Sequence, residues 1–475
     1  PAGPDISKEV TLTMYLIGDR PVDNDEVFGK INERLKSEIN ATIDVKFMSW
    51  SEYENKYPLI FASGEDWDII YTADWCFYNA QATKQGFWEI TREDLETYAP
   101  MTAETMYPEA WEQAKVGGKV YMLPMNYKEI TSYVYMARGD LMDKYNITSV
   151  SSLDEAEAYM DAIAKNEPGM IPLDVGSDYD KLFVFDRMWK QACRQDGVNL
   201  TDVGPWQVMG SVKTDDAAAG VKGHYDQEPF LDVITRLKDW KDRGFWSKNA
   251  VVNTQNNTES FQAGRSALAL MNANTAKSVY ATVAADHPEW DVRVFDAQED
   301  VPPVLNSYLA NGMSIFSKSR YPERALMALD YLRNDKEVNS LFCYGIEGKH
   351  WEASGDNALV SLPDSANYAY DGNCNWGVRN VIEGGIPNLP ELTAKWQETA
   401  ESNLYQTFVF DDAEVKNEIA AMGEIFNTDY KLLGLGFTDD PAGDIAKLRD
   451  KMEAAGAGKV YAALQEQAEA FLAAN

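Results

Sequence analysis

Residues 10–72 constrain the fold more tightly than any other stretch. "VTLTMYLIG" (10–18) is a β-rich run closed by glycine. Val27, Ile31, Leu35 and Ile39 then recur at steps of four, which puts one apolar stripe on a helix. Asp and Glu occupy the first turn of that helix, where the macrodipole favours them. "ATIDVKFM" (41–48) reads as a second strand, "WSEYENKYPLIFASG" as a helix ending at Gly64, and "WDIIYT" (67–72) as a third strand. Such strand–helix alternation builds a parallel sheet with helices on its faces. Functional residues in these sheets lie beyond the carboxyl ends of the strands. Here those ends carry Gly18-Asp19-Arg20 and Ala73-Asp74-Trp75.

A second α/β unit begins near residue 130. It follows "VGGKVYMLPMNY" (116–127), which predicts a Gly-Gly hairpin, a strand and a polar loop. "TSYVYMARGDLMDKYNI" (131–147) reads as strand then short helix, and "SSLDEAEAYMDAIAKN" (151–166) as a helix opened by a Ser cap. "EPFLDVITRLKDWKDRG" is a helix stopped at Gly244. In "FQAGRSALALMNANTA" (261–276), Phe261 anchors a helix that ends at Gly264, and a buried strand follows. That strand delivers Asn272 and Asn274 to the start of another helix. "WDVRVFD" (290–296) and "VLNSYLANGMSIFS" (304–317) read as strands, and the C-terminal region is mostly helical. At 475 residues the chain exceeds one ordinary core, so two or three domains are expected.

The charge balance narrows the partners. Lys and Arg total 43 against 76 Asp and Glu, a net charge of −33. That field repels phosphate backbones and anionic lipid, which argues against a nucleic-acid role. No apolar run reaches the roughly 18–20 residues of a membrane span. "PAGPDISKE" reads as a tether ahead of the first strand, with no signal peptide. The four cysteines (Cys76, Cys193, Cys343, Cys374) show no C-x-x-C spacing, and the three histidines are far apart, so no metal or cofactor is expected. Cys343 and Cys374 leave two readings, a bridge or buried thiols.

Three features together resemble the family 1 extracellular solute-binding proteins of ABC importers. They are the opening order of strands and helices, "LIFASGEDWDII" (59–70), and "SFQAGRSALALMNANTA", in which Arg265 and Leu268 stand where the family has lysine and methionine. "YGIEGKHWE" (344–352), "FVFDDAEVKNEIA" (408–420) and "KLRDKMEAAGAGKVYAALQEQAEAFL" resemble the larger lipoprotein branch of Gram-positive bacteria, assigned to oligosaccharide import. The resemblance implies a two-lobed, type II periplasmic-binding-protein-like α/β fold, with mixed sheets flanked by helices and a helical C-terminal region. It places the N-terminal lobe at 1–127 plus 308–347 and the C-terminal lobe at 128–307 plus 348–475. The hinge crossovers fall near 127–131, 305–309 and 345–351, with the ligand in the cleft between the lobes.

A sugar has apolar C–H faces and a rim of hydroxyls, so a site for it needs aromatic platforms and planar polar side chains. The loop tryptophans Trp75, Trp206, Trp351 and Trp376 are candidate platforms; each could instead cover a domain edge. Trp376 sits in "DGNCNWGVRN" beside Asn375, away from any apolar run. Asp19 and Asp74 can accept two hydroxyls each in charge-assisted bonds. Asn126, Tyr127, Lys128 and Glu129 sit at the first expected crossover, with a solvated or mutually paired Lys128–Glu129 hinge as the bland alternative. Tyr308 lies at the second. Asn272 and Asn274 are either ligand amides or helix caps.

The expectation is therefore a non-catalytic receptor. It captures an oligosaccharide, closes by hinge motion and docks on the transmembrane subunits of an ABC permease. The resemblance further implies an extracellular location, with a lipid anchor joined through a cysteine that this sequence does not contain. The competing readings are a carbohydrate-active hydrolase using paired carboxylates and a peptide or amino-sugar binder. No nucleophile elbow, P-loop or H-E-x-x-H supports an enzyme.

Overall fold

The N-terminal strands and helices fold as their periodicity dictates. In the computed structural model, β1 (Val10–Ile17) and β2 (Ala41–Met48) are joined by α1 (Asn24–Ile39), and α2 (Tyr53–Ala62) leads to β3 (Ile69–Thr72). Val27, Ile31, Leu35 and Ile39 are all buried, as a four-residue apolar stripe requires. The structure describes residues 5–50, 52–175, 178–195, 200–213, 220–253, 255, 257–298, 301–354, 358–368, 381–383, 385–402, 405–406, 408 and 410–474.

The chain divides into two compact units, 1–129 with 306–387 and 130–305 with 388–475. The first is built on a five-stranded sheet in which β2, β1 and β3 lie side by side, followed by Gly312–Ile315 and then β4 (Met122–Pro124). β1 pairs in parallel with β2 and β3, whereas Gly312–Ile315 runs antiparallel to both of its neighbours, β3 and β4. Hence β1 to β4 all point the same way. The Gly-Gly hairpin closes on Gly117 and Gly118, both at positive φ, between Lys115–Val116 and Lys119–Val120.

The second unit carries a four-stranded sheet. Tyr133–Ala137 lies between Arg293–Asp296 and Ser266–Asn272, and Ile171–Leu173 flanks the latter in parallel. Ser266–Asn272 is buried along nearly its whole length, as "SALAL" predicts. Ser152 and Glu155 form a capping box on the helix Leu153–Asn166. Gly244 and Gly264 take positive φ just past their helices. The C-terminal helices supply Met422, Phe426, Tyr430, Leu448 and Leu464 to the same core as Phe185 and Trp189. The mixed sheets, flanking helices and helical C-terminal region are the fold class expected from the sequence.

Two readings need correction. Residues 304–317 are not one strand: Val304–Leu305 and Gly312–Ile315 are separated by an irregular stretch. Asn306, Ser307 and Asn311 fall there, and such side chains compete with the backbone for hydrogen bonds. The third chain crossing lies at 387/388 rather than near 345–351. The described residues between His350 and Tyr368 have contacts in the first unit. His350 Nε2 lies 3.0 Å from Asp23 Oδ2, the Asp23 amide donates to the Asn367 carbonyl, and the Tyr368 hydroxyl donates to the Phe342 carbonyl.

Candidate functional site

Because β1 to β4 point the same way, the loops that follow them gather at one end of the first unit's sheet. The segment entering Gly312–Ile315 from the opposite direction reaches the same end. Asp19, Trp50, Asp74-Trp75, Asn126 and Ser307–Asn311 are therefore brought together by topology alone. Asp19 is exposed there.

An aromatic cluster is the centre of this end. The rings of Trp50 and Trp75 stack with centroids 6.0 Å apart and 28° between planes. Tyr53, the first residue of α2, meets both edge-on, at 5.9 Å and 6.1 Å. Tyr71 of β3 lies tilted against Trp75 at 5.8 Å. Trp50 is 42% exposed and Trp75 46%, so large apolar surface stays in water although the rings are fixed. The Trp75 indole N–H donates to the Ala310 carbonyl at 2.8 Å, and its amide donates to Asp74 Oδ1 at 2.8 Å.

A polar chain backs the cluster. The Ser307 hydroxyl donates to Asp74 Oδ2, and the Asp74 amide donates to the Leu309 carbonyl at 2.9 Å. Burial raises the Asp74 carboxyl above its ordinary value, against the lowering effect of these donors. The Tyr71 hydroxyl donates to Asn311 Oδ1 at 2.7 Å, and Asn311 Nδ2 donates to Glu129 Oε2 at 3.1 Å. The Glu129 carbonyl accepts from the Asn306 amide at 2.7 Å. Lys128 sits 5.5 Å over the Tyr308 ring, and Tyr308 meets Tyr107 edge-on at 6.4 Å.

The other expected site residues lie elsewhere or serve the fold. Asn126 Oδ1 accepts from Arg333 Nη2 at 2.5 Å, and Arg333 Nη1 donates to the Pro124 carbonyl at 2.6 Å. Arg333 is fully buried, and burial lowers its pKa. Neighbouring Tyr127 is half-buried. Trp351 is not an exposed loop ring: it begins the strand Trp351–Ala353, is buried, and donates its indole N–H to the Gly345 carbonyl at 3.0 Å. In the second unit Asn272 Oδ1 accepts from the Thr275 amide at 2.8 Å, which caps the helix Ala273–Asp286. Asn274 Oδ1 accepts from Lys277 at 3.1 Å. Trp206 opens a short 3₁₀ turn, Trp206–Val208, but its side chain lies outside the described residues, as do Asn375, Trp376 and Cys374.

Trp50 and Tyr53 escape the sequence reading, which placed Trp50 inside a helix. Trp50 follows β2 just as Trp75 follows β3, so the rule about carboxyl strand ends points to both. Among the described residues no group of three or more His, Cys, Asp or Glu is placed to hold a metal. No helix among them is long and apolar enough to cross a membrane.

Comparison with known proteins agrees with this architecture. Residues 404–473 match the model of a family described as a domain of unknown function, DUF3502. A carbohydrate ABC transporter substrate-binding protein of Streptococcus pneumoniae serotype 4 is 24% identical over 490 residues, spanning 98% of this chain and 92% of that protein. The solved N-glycan transport solute binding protein (NgtS) from Streptococcus pneumoniae superposes with a TM-score of 0.78 at 21% identity, covering 98% of this chain and 99% of that one. An "HMO binding ABC-transporter associated Solute Binding Protein" from Bifidobacterium longum infantis gives 0.66 at 13% identity, covering 97% and 98%. These structural likenesses establish a shared fold.

Proposed function

We infer that this chain, a member of the extracellular solute-binding proteins that serve carbohydrate ABC transporters, captures an oligosaccharide and hands it to a membrane permease. It is a binding protein and not an enzyme. The observation that carries the choice of ligand is the half-exposed Trp50–Trp75 stack at the carboxyl ends of β2 and β3. Rigid aromatic faces accept the C–H faces of pyranose rings, and polar groups beside them orient the hydroxyls. Asp19, Asp74, Lys128 and Glu129 supply acceptors and donors on the first unit. On the second, Asn272, Asn274 and Trp206 are proposed to complete the site, with Trp376 and Asn375 joining from the segment beyond Tyr368. In this reading the ligand contacts both units, and its preference for a closed form drives the motion about the chain crossings. The same reading places the protein outside the cell, held by a lipid anchor.

The test is a binding panel of neutral gluco-, galacto-, xylo- and manno-oligosaccharides, each short and long. It includes Man1GlcNAc and Man5GlcNAc, with which the S. pneumoniae relative has been solved. At least one member should raise the melting temperature, and chromatography should recover it intact. A panel in which no member binds, or in which a bound sugar is cleaved, would overturn the reading.

A further inference from the structure

Below the aromatic cluster, a groove of about 630 Å³ opens between α2 and the edge strand β2. That volume lies within the roughly 300–1,000 Å³ of small-molecule sites. Its floor is formed by Tyr15, Phe47 and Ile60, all half-buried, and by Leu59, which is 65% exposed. The groove is continuous with the cluster along one helix face. Tyr53 meets both tryptophans edge-on, and Lys56, Ile60 and Ser63 follow it at steps of three and four on the same side of α2. Met48 and Arg20 mark the end nearest the cluster, because they close or follow strands whose carboxyl ends lie there.

The rim chemistry selects the occupant. Arg20, Lys46 and Lys56 project there, an unusual density of cations for a chain of net charge −33. Each already has a carboxylate neighbour: Arg20 with Asp25 at 2.5 Å, Lys46 with Asp44 at 3.0 Å, and Lys56 with Glu52 at 2.9 Å. The rim is thus rich in donors and acceptors but close to electrically balanced. A charged ligand gains little from it, and an acidic one meets Asp44 and Glu65. A neutral chain with apolar ring faces and many hydroxyls matches both floor and rim. We propose that this groove is a second subsite that takes further rings of a neutral oligosaccharide whose first rings stack on Trp50 and Trp75. The proposal rests on the carbohydrate reading above. α2 spans ten residues, about 15 Å of rise, enough to follow several linked rings.

The experiment compares short and long members of whichever panel series binds, by calorimetry, on the wild type, Leu59→Ser and Lys56→Ala. Both residues are exposed, so neither substitution threatens the core. The long glycan should bind wild type about tenfold tighter than the short one. Each variant should bring that ratio close to one while leaving the short glycan unchanged, and an oligouronate of equal length should gain nothing from the groove. Equal affinity for long and short glycans on wild type, or variants that leave the ratio intact or weaken both alike, would overturn the subsite alone. A panel with no binder at any length would overturn the carbohydrate reading and the subsite together.

Discussion

Trp50 and Trp75 follow different strands, yet their rings stack at 6.0 Å while each keeps more than two-fifths of its surface in water. Burial of a tryptophan is strongly favourable, yet two stay half-exposed here and one is pinned through Ala310, which is the arrangement the proposed platform requires. Trp75→Ala should weaken oligosaccharide binding about tenfold or more, about 1.4 kcal/mol at the lower bound. It should also remove the near-ultraviolet circular dichroism contributed by the stacked pair. Calorimetry and the spectrum check the two effects on one sample, and a lost spectrum with unchanged affinity would refute the platform.

Asn126 is at the same end of the sheet but has a different task. Its carbonyl oxygen accepts from the buried guanidinium of Arg333. Asn126→Ala should leave that donor unmatched and cost about 1–3 kcal/mol of stability. Its effect on ligand affinity should be much smaller than that of Trp75→Ala. Denaturant melts and calorimetry separate the two roles.

The Asp74 carboxyl is raised by burial, which fixes the sign of a pH effect. The neutral form is favoured in the folded state, so this group's contribution is greatest below the unfolded value of about 3.9 and is lost as pH rises through the raised folded value. Asp74→Asn keeps an acceptor for Ser307 and cannot ionise. The stability difference between variant and wild type should therefore grow in the variant's favour across mildly acidic pH and then level off. Thermal melts at a series of pH values measure it; a difference independent of pH would refute the assignment.

The C-terminal stretch matching the family of unknown function is part of the second unit's core. Tyr430, in a turn of π-helix (Phe426–Tyr430), bonds through its hydroxyl to His224 Nδ1 at 3.0 Å. Gly436 has φ +72°, and a Cβ there would lie 2.2 Å from the Leu237 carbonyl oxygen. Gly436→Ala should destabilise the second unit by about 2 kcal/mol or more. Tyr430→Phe should cost about 1 kcal/mol. Urea unfolding of the intact chain measures both.

Much of this was legible in the sequence because it rests on periodicity. The stripe from Val27 to Ile39, "ATIDVKFM" and the "SALAL" strand are patterns that one register satisfies and its neighbours do not. Asn272 was readable as a cap and is one. What escaped was decided by tertiary partners. The run 304–317 has strand composition throughout, but Ser307 and Asn311 are drawn to Asp74, Tyr71 and Glu129, which are distant in sequence. Trp351 looks like a loop ring until its indole is seen to bond to Gly345. Trp50 was absorbed into a helix because nothing local marks where α2 begins.

The strand Gly312–Ile315, lying between β3 and β4, imposes an order on biosynthesis. The stretch up to Glu129 is translated ahead of that strand and cannot close its own sheet without it. All of residues 130–305 must be translated before the missing strand emerges. Until then β3 and β4 present open edges to the crowded exit path, where strand edges invite mispairing. The second unit's sheet strands can assemble in the meantime, but its core still lacks the helices of 388–475, so each unit must wait for a segment that follows part of the other.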